Sequence, residues 1–201
     1  AIEVQANSRH DGPMTRRRHP DPRPTVPRRR SALRRSALGA RRDVRLVQLV
    51  AGLALYGFSL AMVVEAGLGL SPWDVLHEGL ANRLGWTFGQ VVILVGAVVL
   101  LTWIPLRQRP GLGTVLNVVL VGLAADGGLA LLPTPDDPVA RTGLLVAGVV
   151  LNGLAGALYI GAAYGTGPRD GLWLGLSQRF GVSTRLTRTT VEVTVLVAGF
   201  V

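Results

Sequence analysis

The residues best suited to chemistry lie in two short polar segments that interrupt an otherwise apolar chain. Asp74 follows Ser71 and a Pro-Trp pair, and Asp170 follows Arg169 in a Gly-Pro-Arg triplet. Ionisable side chains surrounded by apolar segments are costly and usually face a cavity or a partner. The two carboxylates could together bind a cation or exchange a proton. Arg169, beside a predicted helix start with free amides, would instead suit an anionic group.

These residues also have structural interpretations that the sequence leaves open. An acid at the third position of a helix, as Asp74 would be after a Ser71 cap, binds exposed amides and offsets the helix dipole. Arg169 beside Asp170 could simply face water. A further acid, Asp126, precedes two glycines on an apolar segment, where an exposed kink is the alternative to an ion ligand. All five are candidate residues for binding a solute or ion.

No catalytic residue and no metal ligand is predicted. Ser71, Asp74 and His77 are spaced three apart, but six residues of helix separate the hydroxyl from the imidazole by about 9 Å along the axis. A nucleophile and its base need direct hydrogen-bond contact. The chain has no cysteine and three histidines, two of them in its polar N-terminal part, which excludes disulfides and a Cys/His metal site. We expect neither an enzyme nor a cofactor.

The composition predicts an integral membrane protein. The chain is 49% hydrophobic with a mean hydropathy of +0.40, although its first 45 residues are mostly polar. Long apolar segments approach the roughly 20 residues that a membrane-crossing helix needs. A last one begins near Thr189 and reaches Val201 without a turn or cap, so we expect the natural protein to be longer by one helix. The other four segments are Leu46 to Val64, Phe88 to Leu106, Val115 to Leu132 and Gly143 to Tyr164.

The N-terminal segment, residues 1–43, is predicted to be a disordered tail. The first 45 residues hold 13 arginines interleaved with prolines, a composition that cannot bury enough apolar surface to fold. Directly before a membrane helix, such a basic segment indicates that the N-terminus stays in the cytoplasm. We expect it to contact anionic lipid at most, and we expect no nucleic-acid partner.

A segment of the chain is duplicated. Residues 49–85 match residues 145–181 at a constant offset of 96, and 16 of these 37 positions are identical. The identical pairs include Asp74 with Asp170 and Arg83 with Arg179, which hydrophobicity alone would not select. We interpret residues 44–132 as a first membrane repeat and residues 139–201 as a second, truncated at its C-terminal end.

Each repeat contains a predicted helix too short to cross a membrane. Ser71 at the N-cap and a proline at the first position predict a helix from Pro72 to about Leu84, roughly 20 Å long against roughly 30 Å of hydrocarbon. We interpret it as a re-entrant or interfacial half-helix. If it does not cross, each repeat has three crossings and the repeats are inverted. If it crosses, they are parallel. Helix length favours inversion, whereas the arginines of the loops separate the two arrangements only weakly.

Three motifs resemble a known family. They are S-P-W-D-V-L-x-x-G-L from Ser71, R-P-G-L-G-T-V-L-N from Arg109, and G-P-R-D-G-L-W-L-G-L from Gly167, followed by Arg-Thr-x-x-Glu. With them, nearly all of the chain after Arg45 resembles the YczE/YyaS/YitT family of bacterial multi-pass membrane proteins. The resemblance implies a helical membrane protein. It implies no substrate and no catalytic residue, because the family is largely uncharacterised.

Together these features predict an all-α membrane protein with an inverted repeat, located in the bacterial inner membrane. We expect a protein of transporter type, which binds or moves a small solute or ion between its repeats by alternating access. The competing expectation is a scaffold or accessory protein whose half-helices only pack.

Overall fold

The computed structural model describes residues 28–200, and the side chains from residue 41 onward. This part of the chain is entirely helical, without any strand, which confirms the predicted all-α class. Its seven helices are α1 (Arg28–Ala66), α2 (Pro72–Leu84), α3 (Phe88–Thr102), α4 (Leu112–Leu131), α5 (Pro138–Gly161), α6 (Pro168–Phe180) and α7 (Thr184–Phe200).

Two of the helices, α2 and α6, are short and begin and end alike. Each has 13 residues and a proline at its start. The Ser71 hydroxyl caps α2, whereas Gly167 caps α6 without a side chain. Both helices end at a left-handed glycine, Gly85 with φ 67° and Gly181 with φ 65°, a conformation that glycine adopts without steric cost. The predicted bounds of α2 are confirmed.

Within the described residues, three helices are long and apolar enough to cross a membrane, namely α1, α4 and α5. The helix α3 has only 15 residues, shorter than the predicted span, because the chain turns from Trp103 to Arg107 around Pro105, which cannot continue a helix. The axes of α2 and α3 are bent by 114°, and together they would supply a fourth, broken span.

The first and fifth helices lie antiparallel, and an arginine joins each pair of ends. Arg45, near the start of the apolar part of α1, donates from Nε to the carbonyl of Ala162 at the end of α5, at 2.9 Å. Arg141, near the start of α5, donates from Nε to the carbonyl of Ala66 at the end of α1, at 2.8 Å. The last carbonyls of a helix have no partner within it. Each arginine therefore satisfies the free end of the other helix, and both contacts join residues at matching positions of the 96-residue offset.

Glycines allow α1 and α5 to approach closely along their length. A methyl group added to Gly52 would lie 2.8 Å from the backbone nitrogen of Tyr159, and one added to Gly148 would lie 3.0 Å from Val63. At mid-length, Asn152 donates to Ser59 at 2.9 Å. Hydrogen bonds from amide side chains commonly join helices in membranes in this way.

Each of the short helices packs against a helix from the other half of the chain. The helix α2 packs on α7, where Gly79 faces the backbone of Gly199, and α6 packs on α3, where Gly171 faces the ring of Trp103. One apolar cluster joins the four helices, and it contains three pairs of residues that are 96 positions apart. These pairs are Leu76 with Leu172, Val95 with Val191, and Val99 with Val195.

The start of α1 differs from the prediction. The predicted tail covers residues 1–43, of which residues 1–27 lie outside the described residues. Residues 28–43 belong to α1 and are helical. The physical reason is local: after Pro27 this segment has no proline, and it is rich in arginine, alanine and leucine, which are strong helix formers. The last helix also begins earlier than expected, at Thr184 instead of near Thr189.

Candidate functional site

The N-terminal ends of α2 and α6 line one cavity of about 350 Å³. Ser71 and Trp73 reach it from α2, and Gly167, Arg169 and Asp170 reach it from α6. The first amides of a helix have no partner within the helix, so each end carries a partial positive charge. Two such helix ends at one cavity make its electrostatic potential more positive, without any charged side chain.

Asp74 is buried at the first turn of α2, with 3% of its surface exposed. Its Oδ2 accepts a hydrogen bond from the Ser71 hydroxyl at 2.6 Å, and its backbone N–H donates to the same hydroxyl oxygen at 3.4 Å. Its Oδ1 lies 3.7 Å from Nδ1 of His77 and has no hydrogen-bond partner among the described residues. Ser71 therefore caps α2 as predicted, whereas the Asp74 carboxylate accepts from that hydroxyl and not from the exposed amides that the sequence suggested. Its second oxygen has no hydrogen-bond partner among the described residues.

Asp170, at the matching position of α6, has different surroundings. It is half-buried, and the Tyr159 hydroxyl donates to its Oδ2 over a long distance of 3.5 Å. The ring of Tyr159 in turn meets Tyr56 edge-on, with the ring centroids 5.8 Å apart. Because Gly167 offers no hydroxyl, this carboxylate contacts a side chain of α5 where Asp74 contacts its own cap.

Arg169 lies between the two short helices. Its guanidinium stacks over the ring of Trp73, 4.8 Å from the centroid. It forms no hydrogen bond or ion pair with any residue that the structure describes. The second arginine of the cavity, Arg188, is paired: its Nε lies 2.8 Å from Glu192, as expected for residues four apart on a helix, and it stacks on Trp173 at 4.8 Å.

A second cavity, of about 430 Å³, adjoins the first. Tyr56, Ser71 and Arg169 line both cavities, while Asp74 and Asn152 line only the second. These shared residues separate two polar spaces. The structure thus brings four of the five sequence-predicted site residues together.

The fifth predicted residue, Asp126, lies elsewhere and lines neither cavity. Its Oδ2 accepts from the Thr87 hydroxyl at 2.5 Å, and its Oδ1 accepts from the backbone N–H of Gly89 at 2.6 Å. Both donors belong to the start of α3. Asp126, on α4, therefore accepts hydrogen bonds from two donors at the start of α3. This contact was not predicted from the sequence.

Four residues that lie at the site were not predicted from the sequence: Trp73, His77, Tyr159 and Trp173. His77 is 1% exposed and contacts Asp74 one turn along α2, so its helical spacing from Asp74 was the available signal. Tyr159 gave no local signal, because it reaches the site only through the packing of α5. For the tryptophans the signal was the duplication, since Trp73 aligns with Arg169 and Trp173 with His77.

Pairs of residues at the 96-residue offset meet at the first cavity. Six such pairs are among the residues that line it. Ser71 and Gly167 are both N-caps, and Pro72 and Pro168 are both the first residue of a helix. In the other four pairs the two side chains differ in their chemistry. The pairs are Ser71 with Gly167, Pro72 with Pro168, Trp73 with Arg169, His77 with Trp173, Val92 with Arg188, and Gly96 with Glu192.

The apolar helices and the polar cavity between them define the class: this is a multi-pass α-helical membrane protein. The chain belongs to the family of unknown function DUF6198, whose model matches residues 44–201. It is similar to a protein of Haemophilus influenzae named "Uncharacterized protein", with 36% identity over 76% of this chain and 70% of the relative.

Two relatives come from Bacillus subtilis. The one named "Uncharacterized membrane protein YczE" is 34% identical over 75% of this chain and 71% of the relative. The one named "Uncharacterized protein YyaS" is 26% identical over 61% of this chain and 63% of the relative. The family resemblance predicted from the motifs is thereby confirmed. No solved structure matches the chain.

Proposed function

We propose that this protein is a transporter of the bacterial inner membrane that moves a small solute or ion through the cavity between α2 and α6. The observation that carries the proposal is the shared cavity at the N-terminal ends of two short, proline-started helices. In transporters, broken helices of this kind place free helix ends at a binding site within the membrane. Bacterial origin is supported by the relatives from Haemophilus and Bacillus.

The proposal includes an inverted duplication. Its support is the antiparallel packing of α1 and α5, the first long helices of the two repeats, with arginine contacts at both ends. If α2 crossed the membrane by itself, the first repeat would have four crossings and α5 would run parallel to α1. An antiparallel pair requires an odd number of crossings. We therefore treat α2 and α6 as half-helices that enter and leave on one side.

The two adjoining cavities support alternating access. In such a mechanism, one binding site is reached in turn from each side of the membrane, as one repeat moves against the other. Here Tyr56, Ser71 and Arg169 line both cavities. We propose that these residues lie at the barrier between the two entrances. We propose that the N-terminus lies in the cytoplasm, because the arginine-rich N-terminal segment fits the positive-inside rule.

A scaffold or accessory protein is the competing function, and enzymatic activity is not part of the proposal. Close helix packing through Gly52 and Gly148 would serve a scaffold equally well. What favours transport is the polar lining of the cavities, since helices that only pack would gain more from an apolar contact. Ser71 donates to the Asp74 carboxylate and not to the imidazole of His77, so the three side chains do not form a nucleophile–base contact.

Uptake by reconstituted vesicles tests the proposal. Purified protein in proteoliposomes is assayed with a defined panel of Na⁺, Cl⁻, an amino-acid mixture and benzoate. We expect protein-dependent uptake of at least one member, falling about tenfold or more in the double variant Asp74→Asn, Asp170→Asn, because the charge or proton-carrying group at both helix starts is lost. Asp136→Asn, in an exposed loop, is the matched control. Uptake that survives the double substitution at normal protein levels would refute the model, and so would a wild type without uptake.

A further inference from the structure

We propose that the cavity between α2 and α6 binds a small organic oxyanion of the carboxylate class, with Arg169 as the residue that recognises its charge. The inference rests on the proposed function, because it names the kind of solute that occupies the same site. Three features of the cavity support it: the charged side chains, the hydrogen-bond donors without partners, and the valine side chains of its wall.

Of the four charged side chains that line the cavity, three are already compensated. Arg188 and Glu192 pair with each other at 2.8 Å. Asp170 stands in the first turn of α6, where its charge is offset by the free amides of that helix, and it accepts from the Tyr159 hydroxyl. Arg169 has no hydrogen bond or ion pair with any described residue, so its N–H groups are the charged donors of the cavity that are free to bind a ligand.

The stack of Arg169 on Trp73 leaves the guanidinium ready to bind. Its Cζ lies over the ring, 4.8 Å from the centroid. The N–H groups of a guanidinium form a fork that matches the two oxygens of a carboxylate.

Buried donors beside Arg169 also lack partners. The indole nitrogens of Trp73 and Trp173 have no hydrogen-bond partner among the described residues, and both side chains line the cavity. Trp73 is 5% exposed. An indole N–H can only donate, and a buried donor without a partner is destabilising. A ligand rich in acceptors would satisfy these groups, and an oxyanion is such a ligand.

Apart from Tyr56 and Asn117, the wall of the cavity formed by the long helices is largely apolar, which favours an organic anion over an inorganic one. The volume of about 350 Å³ exceeds what a single small inorganic ion needs. The apolar lining comes from α3 and α4, opposite the charged helix ends. It consists of Val92, Val95, Val99, Val118 and Val121.

Equilibrium binding of 4-fluorobenzoate to the purified full chain in detergent, followed by fluorine NMR, tests the inference. Benzyl alcohol and benzylamine, each with the same ring, are the neutral and cationic comparisons. We expect saturable binding of the benzoate, weaker binding of the alcohol and none of the amine. Arg169→Gln should weaken benzoate binding about tenfold or more, the effect of losing a charged hydrogen bond. Arg179→Gln, exposed on the same helix, should leave it unchanged.

Two further measurements keep the test decisive. If Arg169→Gln does not fold, Trp173→Phe replaces it: this change keeps an aromatic ring and removes one donor, and we expect severalfold weaker binding. Benzylamine binding as tightly as benzoate, or benzoate binding unaffected by both variants, would overturn the inference. Uptake of a cation that depends on Asp74 and Asp170, without any benzoate binding, would overturn the inference and leave the proposed transport intact. Benzoate binding without any uptake would support the inference and refute transport.

Discussion

Three buried or half-buried carboxylates in this protein do different work because their nearest donors differ. Asp74 receives the hydroxyl of its own cap, at 2.6 Å. Asp170, at the equivalent position, has a glycine cap and receives only a distant tyrosine hydroxyl, at 3.5 Å. Asp126 receives a hydroxyl and an amide from the start of another helix. The residue type is the same in all three cases, and the position in the helix is the same for Asp74 and Asp170, so the neighbouring donors decide the role.

The role of Asp126 gives a prediction at the residue scale. Asp126→Ala leaves the Thr87 cap of α3 in place but removes the acceptor of the Thr87 hydroxyl and of the Gly89 N–H. It should lower the free energy of unfolding by about 1–2 kcal/mol, the usual cost of losing such a contact at a helix start. Benzoate affinity should not change, because Asp126 lines neither cavity. Thermal unfolding in detergent, followed by circular dichroism, gives the stability, and Asp136→Ala is the control. Loss of binding at unchanged stability would return Asp126 to the site.

At the scale of elements, the antiparallel pair of α1 and α5 forms the frame on which the short helices are arranged. Its closest approach is at Gly52, where an added methyl group would meet the backbone of Tyr159. Tyr159 is also the residue that contacts Asp170. A change in the spacing of these two helices therefore reaches the site directly.

Substitutions at the glycines of this pair test the packing. Gly52→Ala should destabilise the protein by about 1–3 kcal/mol, because the backbone of α5 cannot move away without losing other contacts. Gly148→Ala should cost less, since the nearest atom is the end of a valine side chain at 3.0 Å. Gly156, with open space around it, is the matched control: Gly156→Ala should be neutral or stabilising by up to about 1 kcal/mol through helix propensity. Equal effects at Gly52 and Gly156 would contradict the described packing of α1 on α5.

At the scale of the whole molecule, the 96-residue offset links contacts that are distant along the chain. Arg45 and Arg141 each bond to the end of the other long helix, and the offset carries one contact onto the other. The short helices also join the two halves, because each packs on a helix of the opposite half. An arrangement of this kind is what a pseudo-two-fold axis in the membrane plane would produce.

Inversion predicts that equivalent positions of the two halves face opposite sides of the membrane. The chain has no cysteine, so single cysteines can be placed at the exposed positions Arg83 and Arg179, at the ends of α2 and α6. A membrane-impermeant maleimide added to intact cells should label Arg83→Cys, and Arg179→Cys should be labelled only after the cells are opened. Under inversion with the N-terminus inside, Asp136→Cys should be labelled like Arg83→Cys, and Arg109→Cys like Arg179→Cys. Labelling of both test positions from one side would refute inversion and, with it, the half-helix interpretation.

Local signals along the chain were enough to predict some of the elements. The start of α2 follows from Ser71 and the proline after it, and its end follows from Gly85, so both bounds were predictable from the chain alone. The apolar segments fixed the membrane class by length and composition. Pro105 also gave a local signal for the early end of α3, although apolar residues continue beyond that end.

Which side chains contact one another depends on the packing of the helices. The stack of Arg169 on Trp73, the bond from Tyr159 to Asp170 and the hydrogen bonds that Asp126 accepts from the start of α3 all join separate helices. Helix periodicity tells which residues share a face, but it does not tell which face of which neighbour that face contacts. Those contacts depend on the close approach of backbones at glycines and on the antiparallel direction of α1 and α5, and both are properties of the packed molecule.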